Sequence, residues 1–395
     1  MAETFLSGVR VIEAGESRAV GFAGKLLADL GAEVWLLEAP GRGNRLRRRR
    51  PLLPNGVGGL FAFLARGKRS VSVDLELEDG QELTRRLADA ADGVIADRAA
   101  WGRIEPGGAG LCPTAPRSIV TISSRGAPHA DIPESEFVDA LEGGIGYMTP
   151  GRVEDPLREY PLDLAGGGQA SYVGGLYGAI AFLHGLALGR ATGETVRNDV
   201  SLQAAAASMM VLNLPWWEYA GIVPSRLRAA GRPTRSVAGF VRVKDGRVSI
   251  SMIEEHQWDG LLRALGAPEW AALPAFATQL SRSAHWEALR ACLEDELKDT
   301  PAQEVMERCQ AQNVPVFVVR EMEAVLASVH ERARGFFAPS EPDGVLLPTN
   351  PWLIDGAPVS AHGRSPALGE HTLEALRLLG MDVDDFDFFR EAGVV

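Results

Sequence analysis

The residue of this chain that most invites a chemical reading is Asp163. It lies in Pro161-Leu162-Asp163-Leu164-Ala165-Gly166-Gly167-Gly168, one carboxylate in an apolar, glycine-rich stretch, and no Asp, Glu, Lys or Arg follows it until Arg190. Burying an isolated carboxylate is costly unless something pairs with it or uses it. Glycines beside it remove side chains and let another molecule approach the backbone closely. The competing reading is a helix N-cap, because Asp is favoured there and a helix-like segment follows. Local sequence leaves both open. Trp216-Trp217-Glu218-Tyr219 is the densest aromatic cluster. Such a cluster walls a pocket for a bulky group or, more commonly, belongs to a core or dimer interface. His184, His285 and His330 sit within helical patterns and read as structural or exposed, and no grouping of residues resembles a metal site.

The elements that must position Asp163 read as an α/β fold. Residues 9–13 form a short strand ending at Ala14-Gly15, and 19–30 a helix with Phe22, Leu26, Leu27 and Leu30 on one face, stopped by Gly31. Further strands read at 32–38, 70–74, 93–97 and 118–123, with a helix at 80–91. Strands alternating with helices argue for a parallel sheet covered on both faces. Ligands of such sheets sit outside the carboxyl ends of the strands. After Val200 the pattern changes. Residues 204–214 read as a helix broken at Pro215-Trp216-Trp217; 239–251 read as a hairpin around Asp245-Gly246, and amphipathic helices follow near 257–265, 285–297 and 301–312. This looks like a smaller α+β domain, after which a strand at 314–319 returns to the earlier style.

The chain has 395 residues, 46% of them hydrophobic, which is ample for a large core and two or three domains. A net charge of −12 argues against duplex nucleic acid as a partner. Cys112, Cys292 and Cys309 are too few and too scattered for a disulfide framework, which fits a reducing cytoplasm. The start, Met1-Ala2-Glu3-Thr4-Phe5, shows neither the basic nor the apolar region of a signal peptide. The stretch 170–189 is long and apolar enough to span a bilayer. Its recurring Gly174, Gly175, Gly178 and Gly185 and the lack of an aromatic belt favour a buried helix.

The order of motifs resembles the class III CoA-transferase family, the CaiB/BaiF group of formyl-CoA and carnitine-CoA transferases and α-methylacyl-CoA racemases. The resemblance is carried by residues 6–13, 28–34, 66–74 and 91–95, then the Asp163 segment, Thr192-Gly193-Glu194, Asp199-Val200-Ser201-Leu202 and, near the end, Pro366-Ala367-Leu368-Gly369-Glu370-His371-Thr372. It implies a Rossmann-like large domain formed by both chain ends, a small inserted α+β domain, and two chains interlocked as a homodimer. On this chain the expected divisions are 1–205 for the N-terminal part of the large domain and 206–230 for a linker. Residues 231–312 make the small domain, and 313–395 the return to the large domain with a C-terminal wrap.

The resemblance also implies roles. Asp163 matches the catalytic nucleophile of the transferases, or an acid/base residue in the racemases. Glu136, in Ser135-Glu136-Phe137, matches a second acid, with Ser135 where racemases carry histidine. Racemisation needs groups to remove and return a proton; serine has no suitable pKa and His129 reads as a loop residue, so transfer is favoured. Ser17, Arg18, Val73, Asp97 and Arg98 fall where family members touch CoA. Arg42 and Arg47, in the run Arg42, Arg45, Arg47–Arg50, are expected to meet its phosphates, although such a run also suits a solvated loop. Gly166, Gly167 and Gly168 are candidate oxyanion donors. Lys68 is as fitting for a surface as for a site, and Glu76 would repel phosphate. The implied function is transfer of CoA from an acyl-CoA to a free carboxylic acid, with coenzyme A bound as substrate, no metal, no nucleic acid and no membrane. The alternatives are an acyl-CoA racemase or a non-catalytic CoA-binding subunit.

Overall fold

Six parallel strands form the central sheet: β1 (Arg10–Ala14), β2 (Glu33–Glu38), β3 (Arg69–Ser72), β4 (Gly93–Asp97), β5 (Ser118–Ser123) and β6 (Val196–Ser201), in the order β3-β2-β1-β4-β5-β6. The structure, a computed structural model, describes residues 5–105, 117–129, 132–148, 167–221, 237–340, 344–359 and 363–395. The register runs Ile12 opposite Trp35 on one side and Val94 on the other. Because side chains alternate across a strand, each strand feeds two cores. Val11, Val34, Ile95 and Val120 face one side and meet Val20, Leu27 and Phe182. Ile12, Trp35, Val94 and Ile119 face the other and meet Leu83, Leu87 and Trp101. This double burial is why these strands read as near-continuous apolar runs.

Two helices cover the first face. α1 (Arg18–Asp29) follows β1. Three short helices, α2 (Gly59–Leu64), α3 (Glu78–Asp89) and α4 (Arg98–Ile104), then precede α5 (Glu136–Glu142), α6 (Ile145–Met148) and the 24-residue α7 (Gln169–Thr192). α7 is long and apolar enough to cross a membrane, with a mean hydropathy of 1.4. Its glycines instead carry it against the protein. A Cβ at Gly175 would come within 2.6 Å of the Ala19 carbonyl oxygen, and one at Gly178 within 2.7 Å of Ile122 Cδ1. Close backbone approach of that kind marks a core helix.

β6 escapes sequence reading because Val196-Arg197-Asn198-Asp199-Val200-Ser201 is polar and half-exposed, as an edge strand permits. The expected break at Pro215 is also revised. α8 (Leu202–Ser208) ends early, and α9 (Asn213–Ala220) takes Pro215 into its first turn, where the missing N–H costs nothing.

The chain divides into two compact units, one of Met1–Arg226 with His330–Val395, the other of Leu227–Val329. The C-terminal segment packs on the β3 edge of the first unit. His371 N donates to the Ser70 carbonyl, Ser72 N to Thr372 Oγ1, and Asp74 N to the Val394 carbonyl. The second unit holds a hairpin, β7 (Val237–Val243) and β8 (Gly246–Met252), with β9 (Val316–Val318) antiparallel to β8. Residues around 314–319, assigned from sequence to the large domain, therefore complete the small sheet, and this unit runs on to Val329 rather than stopping at 312. α10 (Glu255–Leu265), α11 (Gln279–Ala284), α12 (Trp286–Leu297) and α13 (Ala302–Gln310) belong to this unit, where Leu261, Leu289, Leu293 and Val305 close its core over Val241, Val248 and Ile250.

Candidate active site

The strand order reverses between β1 and β4, and the helices that follow these two strands leave to opposite faces of the sheet. One side chain ties them together. Asp97, at the end of β4, caps α4 with Oδ1, which accepts from Ala100 N at 2.9 Å. Its Oδ2 accepts from Glu16 N at 2.8 Å and Ser17 N at 3.3 Å, at the end of β1. Gly15 is required beneath it: its φ is +115°, and a Cβ would lie 2.1 Å from Asp97 Oδ2. Ser17 then caps α1, its Oγ accepting from Ala19 N and Val20 N at 3.1 and 3.4 Å. The Asp97 carboxylate, expected to touch CoA, is thus spent on backbone N–H groups.

Above this clamp opens a cavity of about 1050 Å³, lined among others by Ser17, Arg42, Arg45, Val73, Asp97, Arg98, Arg103, Ser124 and Glu134. Its size is at the upper end for a small-molecule site. The lining includes Arg42, Arg45, Arg98 and Arg103, and acidic residues of the same lining pair with two of them. Arg42 pairs with Glu16 at 3.4 Å and Arg103 with Glu76 at 2.7 Å. Glu76, expected to repel phosphate, is therefore neutralised by Arg103. Of the residues matched to CoA contacts, Ser17, Arg42, Val73, Asp97 and Arg98 line the cavity. Arg47 does not: its guanidinium makes a fork on Glu38 at 2.6 Å, donates to the Pro366 carbonyl at 3.0 Å and lies 4.1 Å from the centre of the Phe61 ring. Its role is to join β2, the arginine run and the C-terminal segment. Lys68 is corrected as well, since it is buried and paired with Glu13 at 2.6 Å.

Glu134 went unremarked in the sequence, where nothing but the preceding Pro133 sets it apart. It reaches the cavity from the loop after β5 and hydrogen-bonds Ser17. Burial pushes its carboxyl above the ordinary glutamate value, the Ser17 hydroxyl opposes that, Asp97 and Asp139 add to it, and Arg45 draws it down. Asp139 on α5 is fully buried; Ser124 Oγ donates to its Oδ1, and burial raises its pKa too. Arg45 and Arg103 were also missed as cavity residues; only the arginine run itself pointed to Arg45.

A second group of residues gathers at the start of α7. Glu136, the first residue of α5, accepts from Ala170 N at 3.0 Å, from Ser171 N at 2.8 Å and from Ser171 Oγ. A carboxylate on the first N–H groups of a long helix satisfies orphan donors and the helix dipole together. Ser135 caps α5 in turn, its Oγ accepting from Val138 N. The chain enters α7 through Gly167 and Gly168, with φ of +55° and +138°. Arg18 Nη1 donates to the Gly167 carbonyl at 2.5 Å, and Arg18 is not among the cavity-lining residues. Asp163 and Gly166 lie outside the described residues. Among the described residues no group of three or more His, Cys, Asp or Glu is placed to hold a metal ion.

The sequence model of CoA-transferase family III matches residues 6–372. A succinyl-CoA–L-malate CoA-transferase beta subunit from Chloroflexus aurantiacus is 28% identical over 99% of this chain and 98% of its own length. A succinate–glutarate CoA-transferase from Agrobacterium fabrum is 27% identical over 94% of each chain. The crystal structure of a CaiB/BaiF family protein from Brucella suis superposes with a TM-score of 0.81 at 28% identity, over 95% of this chain and 98% of the other.

Proposed function

The chain belongs to CoA-transferase family III and is an acyl-CoA:carboxylate CoA-transferase, and from that premise we propose that Asp163 is its nucleophile and the strand-end cavity its CoA site. Asp163 attacks the thioester carbonyl of the donor, giving an acyl–aspartyl anhydride and CoA thiolate. The thiolate attacks the aspartyl carbonyl, leaving an aspartyl-CoA thioester and the released acid. An incoming carboxylate reverses both steps, so each bond broken is replaced by one formed and no external proton is consumed. A carboxylate is a weak nucleophile, so the rate must come from positioning and from donors aimed at developing oxyanions, for which Gly166 and Gly167 are the candidates. Water must be excluded, since either intermediate would hydrolyse.

The observation that best supports this reading is the juxtaposition at the strand ends. The cavity wall carries Ser17, while the adjacent Arg18 reaches Gly167, four residues after Asp163 in the sequence. Glu136 serves there as a positioning residue, fixing the start of α7. In this reading the CoA phosphates meet Arg45 and Arg98 on the cavity wall, which Val73 also lines. A racemase is disfavoured because Ser135 spends its hydroxyl on a helix cap and offers no base. We further propose an interlocked homodimer working in the cytoplasm, with the large domain formed by both chain ends.

Trapping tests the covalent route. With a working donor and acceptor, hydroxylamine or borohydride during turnover should modify Asp163, seen by peptide mass spectrometry, and Asp163→Ala should abolish transfer. An unmodified Asp163 during sustained turnover would exclude the aspartyl intermediates.

A further inference from the structure

Glu38 ends β2 with a fully buried carboxylate that the transfer chemistry does not use. Alternation along the strand puts it on the face of Leu36, which packs with Leu46 and Phe61. Four donors converge on it. Oε1 accepts from Arg47 Nη2 and from Ser70 Oγ, both at 2.6 Å. Oε2 accepts from Arg47 Nε at 2.6 Å and from Asn44 N at 2.9 Å. A carboxylate has about four acceptor sites, so these donors fill it.

What Glu38 holds is the turn that carries two of the cavity's arginines. Gly43, Asn44 and Leu46 are buried, while Arg42 and Arg45 between them are exposed and line the cavity. Gly43 has a φ of +66°, and a Cβ there would lie 2.9 Å from Arg47 Cδ and 3.3 Å from Glu38 Oε2. The turn therefore closes on the carboxylate with no side chain between them. Asn44 extends the hold to β1: its Oδ1 accepts from Leu46 N at 2.9 Å, and its Nδ2 donates to the Gly15 carbonyl at 3.4 Å. On the other side, Ser70 Oγ also accepts from Gly369 N at 2.9 Å, so the same carboxylate is braced by the C-terminal segment.

We propose that Glu38 is a positioning residue for coenzyme A: by anchoring Asn44 and Arg47 it sets Arg42 and Arg45 where they meet the phosphates, and so fixes recognition of the nucleotide half of the thioester without touching it. The proposal rests on the reading of the cavity as the CoA site. A guanidinium meets a phosphate through a planar fork, so the angle of approach matters as well as the charge. Releasing the turn leaves the charges in place and loses that angle. The pantetheine arm carries no phosphate and should not sense the change.

The test compares an acyl-CoA with the acyl-pantetheine that bears the same acyl group, each as donor to one working acid acceptor. Wild-type kcat/KM is expected to favour the acyl-CoA. Glu38→Gln should lower that preference by about tenfold, the scale of one lost charged contact, through a raised KM for acyl-CoA at little-changed kcat. Ser70→Ala removes one donor to Glu38 from outside the cavity lining and should lower the preference by about threefold. It carries the test if Glu38→Gln does not fold. A merely structural role would lower kcat/KM for both donors together and leave the preference unmoved; that result in folded protein overturns the proposal. Arg45→Gln separates the proposal from its premise. A preference lowered by Arg45→Gln but not by Glu38→Gln or Ser70→Ala removes the positioning role alone. A preference that none of the three variants moves, or that the wild type lacks, removes the CoA-site reading with it.

Discussion

Lys68 and Arg69 are adjacent in one sequence motif and have opposite environments. Arg69 lies at the rim, between Glu33 and Glu374 and near the Trp35 ring. Lys68 points inward, where Nζ donates to Glu13 at 2.6 Å and to the Gly21 carbonyl at 2.8 Å. Burial raises the Glu13 carboxyl and lowers the Lys68 ammonium, and each is restored in part by the other. Removing one member strands a buried charge. Glu13→Gln is expected to lose about 3–5 kcal/mol of stability in a denaturant titration, and Glu13→Met with Lys68→Met to recover most of it. Glu134 allows a pH test. Its carboxyl is held above the ordinary value by burial, so in the window between its unfolded and folded values the folded state binds more protons, and stability falls as pH rises. The favourable contribution is complete below the unfolded value and lost through the folded one. Glu134→Gln should therefore raise Tm near neutral pH and match the wild type at about pH 4 and below, as calorimetry across that range would record.

At the scale of elements, α7 decides most. Its N-terminus is held by Glu136 and its buried side by glycines that press on α1. Glu136→Ala should cost about 0.5–2 kcal/mol, the range for losing a cap, and Glu136→Gln less because an acceptor remains. Gly175→Val should cost about 1–3 kcal/mol or more, since the added carbons meet the Ala19 backbone rather than a movable side chain. Both are read from melting temperatures. The elements that were legible in sequence share one property: each is buried on both faces or has a full amphipathic stripe. β1, β2, β4 and β5 and helices α1 and α3 qualify, and the structure places them within one or two residues of the sequence reading. β6 does not, because an edge strand tolerates Arg197, Asn198 and Asp199. β9 was legible as a strand and not as a member of the small sheet, because an apolar run carries no record of its partner.

At the scale of the whole molecule, the first unit exposes large apolar side chains on two of its helices. On and around α9, Val211, Leu212, Leu214, Trp216, Trp217 and Tyr219 are exposed, Tyr219 at 91%. Leu176, Tyr177 and Ile180 on the outer side of α7 are exposed as well. Exposed apolar side chains of this size are the kind an interface covers, and Trp and Tyr are the residues that anchor one. The exposed aromatic cluster at 216–219 is what the proposed interface would cover. Under the proposed homodimer, native mass spectrometry should find two copies, and Trp217→Glu should shift the population toward monomer. A monomeric wild type at micromolar concentration would count against the interlocked dimer.

The sequence alone determined the sheet strands buried on both faces, the parallel architecture, the hairpin of the small unit and the family, because those depend on local periodicity and on motifs kept in order along the chain. It also singled out Asp163 as a carboxylate that something must use. The tertiary structure decided what no linear pattern records: that Asp97 clamps two strand ends, that Arg47 joins the C-terminal segment to the sheet while Arg45 and Arg103 reach the cavity, that Glu134 enters it from a loop, and that Arg18 turns from the CoA side toward Gly167. Periodicity reports whether a side chain is buried. Which partner it meets there depends on contacts between residues up to hundreds of positions apart, and these exist only once the chain has folded.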